Sequence, residues 1–560
     1  MAGEILTPLS IWSDLEIPTT PQAQTIGEYR EGDYSLERIR IDGKQCEDGQ
    51  VKIYAVIARS RKKKTLPAIF VVQKFLDGAD ETLALDLAKK GFCAFIVNVG
   101  GNDGVNNNYT EYPESLSFAN YKHAKNNMSI FHGQVKSTCW YEWGVTCRYA
   151  LCYLRSLDFV EKIAGLGIAD AATVVWHLSA TENFDALAFI MNAGWNAYKG
   201  NYKFLARVDE QFSDDKIKYL AGIEPQAYAP FIKAPTFIAT ATNSAEFDFD
   251  RSHDTYARIN DSLYTAISYT VGATDSVGNK GYNDLIAFFN QTLIKGKNDI
   301  QSQDLKIKTE VVDGQVKVSV NANQENLKEI YLYASEEQYD PALRQWQKVE
   351  DYKMVDDEYQ FNFLPYNQSG VAFFFAIAVY KNGTVINSDV VARKFEVKEI
   401  LPSHKSKIIY SSREENAICS FYPIVTNVKK PSCLSIYPEI KVEEKKGAMD
   451  IVGITCDSGL LSFKVGMKKY RPEEDGILLL DAYLKHGGVV TVKLITNYFG
   501  ERVEYLSKAT VPSGEIWQNL KFPITSFKSV GGMAIRSIEK IQAIEILGSD
   551  EYLLNNVLWV

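Results

Sequence analysis

The sequence predicts an α/β protein: a doubly wound, mostly parallel sheet over residues 1–300, followed by two all-β sandwich domains over 301–400 and 401–560. Three observations predict it. From about residue 30 to 300, short apolar runs alternate with stretches of helical period, the mark of repeated strand-helix-strand units. After Lys295-Gly-Lys-Asn-Asp299 the helical period stops, and short alternating segments separated by turn residues replace it. Within the first region, Lys162–Ala172 reads as a buried strand turning sharply into a helix, with Gly167, Ala169 and Ala171 on the positions of a Gly-x-Ser-x-Gly turn and alanine where the serine would stand.

The elements follow in order. Tyr34–Ile41 and Val51–Ala58 alternate as half-buried antiparallel strands, with turns expected at Asp42-Gly43 and Asp48-Gly49. Leu66–Gln73 and Cys93–Asn98 are continuous apolar runs, as expected of strands covered on both faces. Between them, Asp80 caps a helix that Gly91 stops. Residues 100–138 show no period and read as a long excursion over the strand ends. Helical spacing returns over Trp140–Leu157 and Ala171–Ala180, with strands at Leu187–Ala193, Ala234–Thr242 and Ala266–Val271 and helices near His253–Leu263 and Asp284–Ile294. Beyond the linker, Val316–Asn321 and Val371–Val379 alternate between the turn signals Asp313-Gly314 and Asn382-Gly383. Pro402–Lys407 forms a second joint, and Leu461–Gly466, Gly488–Thr496 and Asn555–Val560 are strands of the last domain.

Composition narrows the function classes. With 560 residues, 46% hydrophobic and 23% charged, the chain has an ordinary globular make-up. A net charge of -9 gives no electrostatic footprint for nucleic acid, and the basic run Arg59–Lys64 reads as a solvated loop. No secretory leader is visible and no apolar run approaches about 18 residues, so a cytoplasmic protein with no membrane partner is expected. Eight cysteines (46, 93, 139, 147, 152, 419, 433 and 456) lack paired Cys-x-x-Cys spacing. Reduced thiols, no metal site and no cofactor are therefore expected.

The Leu66–Gln73 strand, the helix ending Leu87-Ala-Lys-Lys-Gly91, the Tyr149–Ser156 helix and the turn at Ala169 together resemble the α/β-hydrolase family, in its multidomain acetylxylan esterase-like branch, over about half the chain. The resemblance implies a Ser-His-acid relay, and each of its positions carries another residue here. The nucleophile position is Ala169. The acid position, in Ala239-Thr-Ala-Thr-Asn-Ser244, is Ser244. The histidine loop, Val271–Gly278, carries Thr274, Asp275 and Ser276 and has no histidine. Acyl transfer through serine needs all three groups together.

Substitute groups are limited. Asp170 adjoins the turn, where a carboxylate serves as nucleophile in haloalkane dehalogenase-like members of the fold, and His132 or His123 in the excursion would be its base. An aspartate at a helix start also favours the helix dipole without any catalytic part. His177 reads as a core histidine, and Asp103, Glu111 and Glu142 form a candidate carboxylate set for glycoside chemistry. Tyr109, Tyr112, Trp140 and Trp143 are the candidate ligand-binding aromatics, because flat rings suit the C–H faces of sugars; packing of the long loop onto the sheet is the reading that stands ahead of it, since Trp143 and Tyr149 follow helical spacing. Trp517–Phe527 and the ending Asn556-Val-Leu-Trp559 resemble galactose-binding-like jelly rolls, with Asn555 and Asn556 where a calcium-holding acid is common. Arg344-Gln-Trp346 marks the middle domain, which resembles an immunoglobulin-like spacer.

The favoured expectation is an esterase-like scaffold that binds a carbohydrate or acylated glycan without cleaving it. An active carbohydrate esterase or hydrolase using Asp170 and His132, and a structural or assembly protein, are the alternatives. A homo-oligomer is compatible with any of them.

Overall fold

The computed structural model describes residues 6–560 apart from 19, 126–127, 129–132, 197–213, 261–262, 296–304, 313–314, 350, 382–384, 399–406, 414–419, 425–433, 435–439, 515 and 550. His132, Cys419, Cys433, the turns at 313–314 and 382–383, and most of both expected linkers lie outside the described residues. The chain forms two compact units. One is Met1–Thr270 with Asp275–Ser302 and Pro431–Tyr437; the other is Gln303–Lys430 and Pro438–Val560 with Val271–Thr274.

Among its described residues the first unit has a nine-stranded sheet in the order β1-β2-β3-β5-β4-β6-β7-β8-β9. Its strands are β1 (Ala23–Glu31), β2 (Tyr34–Cys46), β3 (Gly49–Ser60), β4 (Leu66–Val72), β5 (Cys93–Val97), β6 (Val160–Ile168), β7 (Ala186–Ile190), β8 (Thr236–Ala241) and β9 (Thr265–Thr270). From β5 through β9 every neighbouring pair is parallel, while β1, β2 and β3 are added antiparallel at one edge. All residues of β4, β5, β7 and β8 are buried, which is why these strands read as unbroken apolar runs. β1 is the opposite case. It is exposed along most of its length, so its sequence carries no apolar alternation by which to predict it.

Helices cover the sheet: α1 (Glu81–Lys89), α2 (Tyr121–Ala124), α3 (Cys139–Arg155), α4 (Ala172–Ser179), α5 (Asp214–Gly222), α6 (Pro225–Tyr228), α7 (Phe249–Tyr256) and α8 (Gly278–Phe289). Asp80 caps α1 as expected, its carboxylate accepting from the N–H of Thr82 at 2.8 Å and of Leu83 at 3.2 Å, and Gly91 follows at φ 102°. Four local expectations are corrected. Asp42-Gly43 is not a turn: β2 runs on to Cys46 with a bulge between Asp42 and Gln45. The helix expected at His253–Leu263 begins earlier, where Asp248 accepts from the N–H of Arg251 at 3.0 Å. The last helix also starts earlier, because the polar turn Gly278-Asn-Lys-Gly281 hides the period, and it closes in a π-helical turn at Asn290–Lys295. Leu461–Gly466 is strand only to Ser462, then a 3-10 turn at Lys464–Gly466.

The second unit is antiparallel β throughout its named strands. Residues 306–396 form a four-stranded and a five-stranded sheet that share one core, with Val316, Val318 and Phe361 from the first sheet meeting Leu332, Phe374 and Ala376 from the second. Residues 407–559 form a six-stranded and a five-stranded sheet around a second core that includes Leu480, Val492, Ile544 and Trp559. Asn555 and Asn556 spend their amides inside the protein: Asn555 Nδ2 donates to Val452 O and Ser412 Oγ at 2.6 Å, and Asn556 Nδ2 to Asp481 Oδ2 at 2.8 Å. The six described cysteines are free thiols, and no described helix is long and apolar enough to cross a membrane.

In the first unit α3 and α4 are joined by buried polar groups. Arg148 donates to Gly144 O at 3.1 Å, His177 O at 3.2 Å and Thr181 Oγ1 at 2.8 Å, and its guanidinium lies 3.7 Å over the Trp12 ring. His177 is fully buried, with Nε2 donating to Ile223 O at 2.7 Å. Burial, with Arg148 alongside, pushes its pKa down to about 3. A histidine so depressed stabilises the fold above its unfolded pKa near 6.5, and that stability is lost as pH falls toward 3. The unit should therefore lose about 1.4 kcal/mol per pH unit from this one group between pH 6 and 4. Urea titrations at several pH values should show that slope in the wild type and a slope smaller by one proton in His177→Gln.

Candidate functional site

The site is built from the carboxyl ends of the parallel strands, where open α/β sheets place their ligands. β6 ends at Ile168 in extended conformation, and the next residue, Ala169, has φ 55°. A left-handed alanine is strained by about 1 kcal/mol or more, and it persists only where the surroundings dictate it. Here they do: a Cβ placed on Gly167 would stand 2.6 Å from the Cα and 3.0 Å from the Cβ of Ala172, in the first turn of α4. Strand and helix thus meet almost backbone to backbone, and the chain reverses between them in the 3-10 turn Ala169–Ala171. Ala169 is only 1% exposed and presents a methyl group.

The two other positions of the expected relay are also placed. Ser244 is buried in the loop after β8, with Oγ accepting from the N–H of Phe247 at 3.0 Å and of Glu246 at 3.3 Å. Its hydroxyl holds the turn that leads into α7. In the loop after β9, Ser276 Oγ accepts from the N–H of Gly278 at 3.0 Å, and Thr270 Oγ1 donates to Val277 O at 2.8 Å.

Around the elbow, the strand ends carry buried amides and hydroxyls. Gln73 Oε1 accepts from the N–H of Asp80 at 2.9 Å, and Asn98 Oδ1 accepts from the N–H of Thr110 at 3.1 Å. Asn192 Nδ2 donates to Thr173 Oγ1 at 3.1 Å and to the main-chain oxygen of Asp170 at 3.5 Å. Asp170 itself is half-exposed. Sequence reasoning missed its phenolic neighbours. The Tyr121 hydroxyl is raised first by burial and then by the charges of Asp170, Glu246 and Asp103; that of Tyr219 is raised by burial, with Glu224, Cys139 and Asp170 adding to it. The charge of Asp170 thus acts on both phenols. The nearest sequence signal is the aromatic group Tyr109, Tyr112, Trp140 and Trp143, between whose members Tyr121 lies in the chain.

The other candidate residues are placed as follows. Trp143 is wholly buried and donates to Ala119 O at 2.8 Å; Trp140 is 4% exposed and donates to Met128 O at 2.9 Å; the two rings meet edge to face at 5.0 Å. Tyr112 buries its hydroxyl, donating to Val99 O at 2.7 Å. Tyr109 is half-buried, and its hydroxyl accepts from Asn102 Nδ2 at 3.3 Å. The packing explanation therefore accounts for both tryptophans and for Tyr112. His123 is exposed on α2. Asp103, Glu111 and Glu142 hold different partners: Asp103 accepts from the N–H groups of Val105 at 2.7 Å and Asn106 at 2.8 Å, Glu111 pairs with Arg40 at 2.7 Å, and Glu142 with Lys44 at 2.7 Å. Burial raises the Glu142 carboxyl against the pull of Lys44.

Comparisons with known proteins follow the fold. No family model and no curated protein sequence matches the chain. Among solved structures, an acetyl xylan esterase from Paenibacillus sp. R4 is similar at 14% identity, covering 51% of this chain and 92% of that one, with a TM-score of 0.38. Acetyl xylan esterase 1 from Thermoanaerobacterium sp. JW/SL YS485 is similar at 12% identity, covering 48% and 87%, with a TM-score of 0.36. An acylaminoacyl peptidase from Pyrococcus horikoshii is similar at 15% identity, covering 50% and 51%, with a TM-score of 0.34. The sheet order and the strand-turn-helix at Ala169 are those of an α/β-hydrolase fold.

The elbow makes two opposite substitutions informative. Ala169→Gly, relieving the left-handed residue, should raise stability by about 1 kcal/mol. Gly167→Ala, forcing strand and helix apart, should lower it by about 1–3 kcal/mol. Urea denaturation of both variants beside the wild type measures the pair.

Proposed function

We propose that this chain is a hydrolase-fold protein without serine-hydrolase chemistry, and that it binds a carbohydrate or acylated glycan at the strand ends of its first unit. The observation that carries the reading is Ala169: the elbow keeps its left-handed geometry and its close strand-helix approach, yet places a methyl where the attacking oxygen would stand. Ser244, committed to its turn, and the histidine-free loop after β9 agree with it. The carbohydrate class is supported by the half-buried Tyr121, whose phenol is raised by the charge of Asp170, because a carboxylate and a phenol bind hydroxyl groups while the ring offers an apolar face. Tyr109, the half-buried member of the aromatic set, is the candidate flanking contact. In the same reading, residues 301–400 and 401–560 are an immunoglobulin-like and a jelly-roll domain, the latter carrying further glycan affinity.

The test is direct. An aryl acetate incubated with the full chain should hydrolyse no faster than in buffer, and Asp170→Asn should leave that rate unchanged. Acetylated xylo-oligosaccharides should raise the melting temperature in a dose-dependent way, equivalent to about 2.7 kcal/mol at a hundred times the dissociation constant. Tyr121→Phe with Asp170→Asn should remove the shift. Turnover that disappears with Asp170→Asn would instead identify an active hydrolase. Sedimentation into large assemblies with no sugar-induced shift would identify a structural protein.

A further inference from the structure

The second unit contains a joint fastened through two adjacent carboxylates. Glu336 closes the strand Leu327–Glu336, and Glu337 follows it at φ 69°. The left-handed residue turns the two side chains to different tasks. Glu336 is 3% exposed, and its carboxyl oxygens accept from the N–H of Tyr366 at 3.1 Å and of Asn367 at 3.0 Å. Glu337 Oε2 accepts from the Tyr366 hydroxyl at 3.3 Å and from the N–H of Lys468 at 3.1 Å. Three segments distant in sequence therefore converge on one pair of acids: the strand end at 336–337, the turn at 366–367 and the 3-10 turn Lys468–Tyr470.

We propose that Glu336 is a proton-operated latch of this joint, holding the 366–367 turn firmly while its carboxyl is neutral and loosening it on ionisation. The two N–H donors favour the charged form, but that form is buried and has no ammonium or guanidinium among the described groups that face it, so burial outweighs them. From its own strand it meets Glu337, a like charge. From the 366–367 turn it meets the Asn367 amide and the Tyr366 phenol. From the 3-10 turn, Lys469 lies 5.5 Å over the ring of Tyr366 and 5.2 Å over that of Tyr470, so its charge is set on the aromatic faces. In the sheet, Glu336 pairs with Ala372 and Ala372 with Arg393, which puts that guanidinium two strands away, about 10 Å by strand spacing. Burial, with Glu337 adding to it, accordingly raises the Glu336 carboxyl to about 7.

The sign follows from linkage. A carboxyl raised in the closed joint and ordinary in the open one favours closure at low pH, loses that advantage as pH rises from its free value near 4.5 to about 7, and is constant above that. Amide exchange on the full chain, corrected for the intrinsic pH dependence, reads the joint in peptides covering Tyr366 and Asn367. Protection should fall about tenfold per pH unit between pH 5 and 7 and level off above 7. Glu336→Gln should abolish that dependence. Glu337→Gln, which keeps the latch and removes the like charge, should bring the levelling to lower pH. The proposal is overturned if wild-type protection at these amides is flat across pH 5–7, or if Glu336→Gln retains the wild-type profile.

Discussion

The approach of β6 to α4 at Gly167 is the constraint on which the first unit depends. With no side chain at Gly167, the strand comes close enough to Ala172 that the connecting residue must turn left-handed, and Ala169 does so at φ 55°. That turn sets where the neighbouring strand ends must supply polar groups. Asn192 reaches across from β7 to the main-chain oxygen of Asp170, and the Ser244 turn closes the end of β8. A serine hydrolase needs this strained apex to present its oxygen. Here the apex carries a methyl group, and the close packing of strand on helix accounts for its geometry.

The polar groups at the strand ends are of two kinds, and the difference bears on the proposed function. Gln73, Asn98, Asn192 and Ser244 bond to main-chain N–H groups, carbonyls or hydroxyls of nearby segments and so act as fasteners. Asp170 and Glu246 are of the second kind, carboxylates whose charges, with that of Asp103, raise the phenol of Tyr121. In the proposed function these groups supply the contacts to a polyhydroxylated ligand. The buried Arg148 on α3 and His177 within α4 belong to the packing of these two helices and of Trp12 against both.

Much of the fold was legible in the sequence because burial is written in it. The fully covered strands β4, β5, β7 and β8 appear as apolar runs, and the Asp80 cap and Gly91 stop bound α1 to within a residue. What was not legible had weak local chemistry. β1 is an exposed edge strand without alternation, and Asp42-Gly43 has turn composition but sits in a bulge. At the site, the alanine at the elbow apex could be read directly, whereas the partnership of Asp170 with Tyr121 and Tyr219 depends on segments brought together from the excursion and from α5. The aromatic set of the excursion likewise did not separate Trp140 and Trp143, which pack the core, from Tyr109, which is only partly buried.

The proposed function requires that no activated hydroxyl stand at the elbow or near it. Incubation of the full chain with a reactive fluorophosphonate, followed by intact-mass analysis, tests this most directly, since such a reagent is attacked only by an activated serine or an equivalent nucleophile. The protein should keep its unmodified mass under conditions that fully label a competent serine hydrolase. A stoichiometric adduct, mapped to any residue at the strand ends of the first unit, would contradict it.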